Sequence, residues 1–317
     1  MRVLVTGAAG FAGTHLAGAL LAEGHEVWGT LQGGHAPPAA PDAVRWVPME
    51  LTSHASIARA VAEARPERVF HLAAQASVAD SFGDPAATWE TNATGTLRLV
   101  CALPAGARML LVSSAEVYGL VPDDAQPVAE TAPLRPANPY AASKAAAEMA
   151  VVEAALGHAR VHAVIARSFS HTGPGQDARF ALAAFARQLA LIAAGVAEPV
   201  LRVGNLQARR DYLDVRDVVR AYLLLIERGH PGRAYNVASG QPHAMDELVR
   251  MLVELSGTGA RLEVDPARVR PVDLPLLTGD AAALRALGWE PRIALRQTLA
   301  DLLRHEQAAL PSPAEAA

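Results

Sequence analysis

The sequence predicts an α/β protein, a doubly wound parallel sheet with a smaller α/β cap. Three observations predict it. Short apolar or β-branched runs alternate with helical stretches through the first half, and those runs are apolar throughout, as in strands buried on both faces. A glycine-rich turn, VTGAAGFAG, joins the first run to the first helical stretch. After residue 168 the alternation loosens.

The strand candidates in order are RVLVTG (2–7), EVWGTL (26–31), VRWVPM (44–49), RVFHLAA (68–74), RMLLVSS (108–114) and VHAVIARS (161–168). Helices are expected between them at 13–23, 54–64, 86–102 and 140–156. Beyond them SHTGPGQ reads as a loop, 179–194 as a helix and PVLRVG (199–204) as a strand. Residues 211–229 read as a short strand and an amphipathic helix, AYNVAS (234–239) as a strand, and 244–255 and 293–306 as helices. Ligands of such sheets bind at the carboxyl ends of the strands.

Composition narrows the class. The 317 residues are 51% hydrophobic and 19% charged, with a net charge of −4 and no block of like charge, which offers nucleic acid or a membrane surface no footprint. No apolar run approaches the roughly 20 residues that span a bilayer. The one cysteine, Cys101, excludes an intramolecular disulfide framework, fits a reducing compartment and is expected to pack. The opening MRVLVTGAAG enters a strand at once, without the order of a secretory leader, so a cytoplasmic location is expected. Trp28, Trp46, Trp89 and Trp289 are expected in the core.

Gly7, Gly10 and Gly13 let the backbone turn tightly and approach a pyrophosphate, which the helix amides would bind. Phe11 and Ala12 lie in the same turn. Leu72, Ala73 and Ala74 end the fourth strand, and Glu50 and Leu51 follow the third; all are cofactor-binding candidates, Glu50 toward an adenine amine. The second strand ends GTLQGGH, without the acid that would bind the ribose 2′-hydroxyl of NAD. That favours NADP(H), but no arginine stands there either, so NAD(H) remains open.

NPYAASK begins a helix after Pro139 and places Tyr140 and Lys144 four apart on one face. A free phenol has a pKa of about 10, and a neighbouring ammonium lowers it. The lysine is also placed to hold a nicotinamide ribose. Ser114, at the end of the preceding strand, can orient a carbonyl that Tyr140 protonates. If the strand stayed extended, Glu116 would share Ser114's face. His158 and His162 read as loop into strand, so no metal site is expected there. His71 and His171 read as supporting residues.

VTGAAGFAG, HLAAQASV, ETNATGT, SSAEVYG and NPYAASK together resemble the extended short-chain dehydrogenase/reductase family of nucleotide-sugar enzymes, over nearly the whole chain. The resemblance implies a Rossmann-type fold and assigns Ser114, Tyr140 and Lys144 the roles above. It implies that Asn92 maintains the active-site backbone and proton relay, and that the protein is a homodimer built through helices beside the tyrosine. ARSFSHTGPGQ, FALAAFARQLA, VGNLQARRDYLDVRDVVRAY and RPVDLPLLTGDAAALRALGW are similar to GDP-6-deoxy-4-keto-sugar reductases, with GDP-mannose 4,6-dehydratases close by. The implied substrate is a GDP-sugar, held by Arg210 and Arg270 on its phosphates, with Asn205 and Ser170 as further contacts. Ser170 departs from the family's asparagine. Glu116 occupies the position of the dehydratase base, and reductases can retain an acid there. Reductase is the preferred reading; dehydratase, 4-epimerase and a noncatalytic dinucleotide sensor are the alternatives.

The expected division is a dinucleotide-binding unit over 1–168, with a return segment at about 211–235, and a substrate-binding cap over 169–210 and 236–310. Residues 311–317 are expected to be a flexible tail.

Overall fold

The computed structural model describes residues 1–33, 41–157, 160–268 and 275–310. Strands β1 (Arg2–Thr6), β2 (Glu26–Leu31), β3 (Arg45–Pro48), β4 (Arg68–His71), β5 (Arg108–Ser114) and β6 (His162–Ser168) fall where the sequence placed them. With β10 (Ala234–Val237) they form one sheet in the order β10-β6-β5-β4-β1-β2-β3, every neighbouring pair parallel. The order reverses between β1 and β4, the switch point beside which ligands of such sheets bind at the strands' carboxyl ends.

Alternation along the strands divides their apolar residues between two cores. Val3, Val5, Phe70, Leu110 and Val164 meet helices α1 (Phe11–Ala22) and α8 (Val215–Arg228) on one face. Leu4, Val69, Met109, Leu111 and Ile165 meet α2 (His54–Ala64), α5 (Gly95–Ala102) and α6 (Pro139–Val152) on the other. Both faces are covered, which is why these strands carry so few polar residues. The expected helix over 86–102 is present and carries a π-helical turn within it. Short α3 (Val78–Gly83) and α4 (Pro85–Trp89) lead into a π-helical turn at Glu90–Thr94 before α5.

The second half adds two small sheets. β9 (Arg209–Asp214) pairs with β7 (Ser170–Thr172), β11 (Pro242–Ala244) and β13 (Leu276–Leu277). β8 (Val200–Val203) pairs with β12 (Arg261–Val264). Helices α7 (Ala181–Ala193), α9 (Met245–Ser256) and α11 (Leu295–Ala308) enclose a third core around Leu189, Leu248 and Leu302, and short α10 (Ala282–Arg285) packs on β10. β7 lies inside the stretch expected to be a loop. Three residues with a glycine-proline run behind them carry no periodicity to announce a strand.

One buried carboxylate joins these parts. Asp211 on β9 accepts from the Ser239 amide (2.8 Å) and hydroxyl (2.6 Å), the Gly240 amide (2.9 Å) and the Gly279 amide (3.2 Å). Among the described residues, no helix is long and apolar enough to cross a membrane.

Candidate active site

The glycine turn between β1 and α1 is set by close approach. Gly7 has φ +71°, and a Cβ there would lie 2.8 Å from the Ala73 amide nitrogen. A Cβ on Gly13 would lie 2.1 Å from the Gly7 carbonyl oxygen. Gly10 caps α1 without a side-chain hydrogen bond, and no acid stands in the first turn. The uncapped amides and the helix's partial positive charge suit a pyrophosphate. The turn residues Gly7, Gly10, Phe11, Ala12 and Gly13 therefore fit a dinucleotide, with Leu72, Ala73 and Ala74 directly across from them at the end of β4. Glu50 lies near the end of β2, its Oε2 accepting from Gln32 (3.1 Å). Leu51 is buried in the core beside Val47 and Met49.

Helix α6 starts where Asn138 Oδ1 accepts from the Ala141 amide (2.8 Å) and Pro139 fixes the first helical φ. It lies along the end of β5, and three successive strand residues hold three of its side chains. The Val112 carbonyl accepts from Lys144 Nζ (2.8 Å), the Ser113 hydroxyl donates to Glu148, and the Ser114 hydroxyl faces the Tyr140 phenol closely enough to act on its acidity. Tyr140 and Lys144 are both buried.

Glu116 does not continue the strand. Ser114 Oγ accepts from the Glu116 amide (3.2 Å) and so caps a 3-10 turn over Ala115–Tyr118. The expected shared strand face is lost because the serine side chain competes for the backbone. The carboxylate nonetheless returns to the site, accepting from Asn138 Nδ2 (3.2 Å).

The electrostatics differ from the sequence expectation. Burial pushes the Tyr140 phenol up to about 12; the Ser114 hydroxyl opposes this and the Glu116 charge adds to it. Lys144 does not bring the phenol down here: its ammonium points to the Val112 carbonyl, and burial pulls it to about 8 while Glu148 holds it up. The phenol is therefore an acid that keeps its proton.

Asn92 sits in the π-turn between α4 and α5. Its Oδ1 accepts from the Gln75 amide (2.8 Å), and its Nδ2 donates to the Gln75 carbonyl (3.0 Å) and to Ser143 Oγ (3.0 Å). Ser143 then donates to the Tyr140 carbonyl (2.8 Å), so Asn92 ties the segment after β4 to the tyrosine's own helix turn. Behind it, the Thr96 hydroxyl donates to the Asn92 carbonyl (2.6 Å) and lies 2.9 Å from His71 Nε2. His71 Nδ1 is 2.7 Å from Thr6 Oγ1, which also accepts from the Ala73 amide. These partners fix a neutral imidazole protonated at Nε2. His71 is thus a buried tie, as the sequence reading had it, and it links the glycine turn's strand to the π-turn.

The substrate candidates lie apart from this cluster in sequence. Ser170 is on β7 and Arg210 on β9, two strands paired at Ser170↔Tyr212. Asn205 is exposed in the loop before β9, with Oδ1 accepting from the Gln207 amide (3.0 Å). Arg210 donates to the Arg209 carbonyl (3.0 Å). Arg270, His158 and the tail 311–317 lie outside the described residues. His171, after Ser170, stacks on Phe11 of the glycine turn at 6.0 Å and 10°. Among the described residues, no group of three or more His, Cys, Asp or Glu could hold a metal ion.

Two expectations are corrected. Cys101 is exposed, because Leu99, Val100 and Leu103 take the inward face at the end of α5. Trp89 is 43% exposed at the end of α4, whereas Trp289 is in the core and Trp28 and Trp46 are half-buried. Sequence reading also missed Glu148, Arg167, Ser168 and Tyr222. Glu148 had a signal: it continues the Tyr140, Lys144 spacing by another four residues.

The profile of the GDP-mannose 4,6 dehydratase family matches residues 4–302. The chain belongs to that family. It is accordingly an NAD(P)-dependent nucleotide-sugar oxidoreductase of the short-chain dehydrogenase/reductase type. A GDP-6-deoxy-D-mannose reductase of Pseudomonas aeruginosa is 38% identical to this family member over 95% of the chain and 96% of the relative. A GDP-mannose 4,6-dehydratase of Vibrio cholerae is 29% identical over 95% and 92%. Among solved structures, RMD from Pseudomonas aeruginosa complexed with NADPH superposes with a TM-score of 0.83 at 32% identity, covering 98% of this chain and all of that one.

Proposed function

We propose that this chain reduces the C4 ketone of a GDP-4-keto-6-deoxy sugar to the alcohol, giving GDP-rhamnose or a related GDP-6-deoxyhexose. The observation that carries this reading is the placement of the Tyr140 phenol, buried at the start of α6 and set against Ser114 at the end of β5. Reduction of a ketone needs a proton donor at the carbonyl oxygen, and a phenol that keeps its proton at neutral pH is one. A nicotinamide dinucleotide held by the turn of Gly7, Gly10 and Gly13 would supply the hydride for C4. Ser114 orients O4 and Tyr140 gives it the proton, while the Lys144 ammonium, on the same helix face and bonded to the Val112 carbonyl, is placed to hold the nicotinamide ribose. The proposed contacts to the GDP-sugar are Ser170, Asn205, Arg210 and Arg270, the arginines toward the diphosphate. The similarity to the Pseudomonas reductase favours NADPH as donor.

Glu116 does not decide between reductase and dehydratase: one of its oxygens accepts from Asn138, and the other is left to act as a base. The dehydratase reading keeps one observation in its favour: the carboxylate is close enough to Tyr140 to raise its pKa.

Two incubations separate them. With GDP-4-keto-6-deoxymannose, the wild type is expected to consume NAD(P)H and form GDP-rhamnose. With GDP-mannose it is expected to do nothing; dehydration without net cofactor loss overturns the reductase reading. Tyr140→Phe is expected to lower kcat by roughly a hundred- to ten-thousand-fold while the dinucleotide still binds.

We also propose that the protein is a homodimer. Phe82, Trp89, Leu97 and Met149 are exposed apolar side chains on α3, α4, α5 and α6, helices that pack together beside the tyrosine. Large apolar groups exposed on helices that pack together suit a second copy of the chain.

A further inference from the structure

Lys144 is the sole lysine in the 317-residue sequence; every other side-chain cation that is always charged is an arginine. Arginine is charged at any accessible pH, whereas a buried lysine titrates. A chain that uses guanidinium everywhere else has kept its one ammonium where its charge state is open to control.

What sits beside it is a second buried charge. Glu148, one turn further along α6, is fully buried. It is clamped by Arg167 of β6: Nε lies 3.1 Å from both carboxylate oxygens and a terminal nitrogen 2.7 Å from Oε2, with the Ser113 hydroxyl as a further donor. A lone carboxylate there would carry the full cost of leaving water, and the arginine's paired bonds offset it. Arg167 in turn donates to the Tyr118 hydroxyl (3.0 Å) and the Glu130 carbonyl (3.1 Å). Tyr118 donates to Asn236 Oδ1 (2.7 Å), and Asn236 Nδ2 donates to the Val128 (2.8 Å) and Asp280 (3.0 Å) carbonyls.

We propose that Glu148, fixed by Arg167 and Ser113, is a positioning residue that sets the charge and register of Lys144 against the end of β5. Resting on the proposed reductase function, it gives the arginine-glutamate pair a part in catalysis through the lysine. The other groups facing this cluster do not supply that charge. His71 from β4 is neutral, held down to about 3 by burial and by Lys144 itself. Tyr222 from α8, beside Tyr140 and 2.7 Å from the Ser168 hydroxyl, is kept protonated by burial. Tyr118 is likewise pushed up to about 12. Glu116 acts on Tyr140 from the turn after β5, and Glu130 reaches the cluster through the Arg167 and Asn236 bonds. Burial brings Lys144 to about 8, and the Glu148 carboxylate is what opposes that fall.

The single lysine makes the test direct. Protein grown on lysine labelled with carbon-13 at Cε gives one lysine signal, and its titration in the ligand-free wild type is expected to centre near 8. In Glu148→Gln the midpoint is expected to fall by about one pH unit, with kcat at neutral pH down about tenfold and KM for the keto sugar within about twofold. Glu148→Asp is expected to restore the midpoint. A merely structural role lowers Tm and leaves the midpoint in place, and a folded Glu148→Gln with an unmoved midpoint overturns the proposal. If that variant does not fold because Arg167 is left unpaired, Glu148→Gln with Arg167→Met removes both charges and is expected to show a smaller fall in the same direction, since losing the guanidinium opposes losing the carboxylate. Failure of both to fold makes the pair a fold determinant and likewise overturns it. The titration needs no sugar, so a wild type that turns over no GDP-keto sugar sinks the functional reading and leaves this one to be judged by its own result.

Discussion

A phenol that is to protonate a ketone must hold its proton until the oxygen is in place, and Tyr140 does so chiefly through burial, with the Glu116 charge adding to it. The ring is flanked by Ser114, and removing that hydroxyl takes away both the carbonyl's guide and the group that pulls the phenol back toward its ordinary value. Ser114→Ala is expected to lower kcat by roughly a hundredfold, measured as NAD(P)H oxidation with the keto sugar. His71 carries a different prediction. Its folded-state pKa is depressed from 6.5 to about 3 by burial, so between those values the unfolded chain binds a proton that the native chain does not. Stability therefore falls as pH falls below 6.5, by about 1.4 kcal/mol per pH unit from this group. Urea midpoints taken between pH 7 and 5 should show that slope, and His71→Gln should flatten it. Tyr140, Lys144 and Ser114 were legible in the sequence because spacing on a helix and the end of a strand place them. Their charge states were not, since these depend on how deeply each is buried and on how Glu148 and Glu116 are turned toward them.

At the scale of elements, α6 concentrates the function: its cap, its first turn and its second turn each carry a polar contact to β5 or to the turn after it. Asn138 is both cap and donor to Glu116. Asn138→Ala is expected to cost about 1 kcal/mol of stability by loss of the cap, read as a lower urea midpoint, and to free the Glu116 carboxylate. Continuous apolar runs announced all six of the first strands, some to the residue. The stretch over 86–102 hid its π-turn because helical periodicity survives one extra residue per turn. The distortion turns Asn92 inward, as such turns often do at functional sites. Short β7, β11 and β13 could not be read, because two or three residues carry no period and their partner is β9, distant in sequence.

For the whole molecule, the boundary between a dinucleotide unit and a cap remains the proposal made from the pattern, with β10 and α8 returning to the large sheet and β9 starting the small one. Asp211 bonds to the loops that follow β10 and β13, so Asp211→Ala should loosen the cap's small sheet, seen as faster hydrogen exchange at Gly240 and Gly279. At the opposite flank, Met149→Glu is expected to convert the proposed dimer into a monomer in sedimentation while each copy stays folded. The scarcity of ammonium groups has a practical corollary. A protease that cuts only after lysine has one bond to attack, Lys144–Ala145, in the middle of a buried helix. Scission into two pieces then becomes a clock for the unwinding of α6 itself, and added dinucleotide should slow it by whatever fraction of the molecules it holds shut.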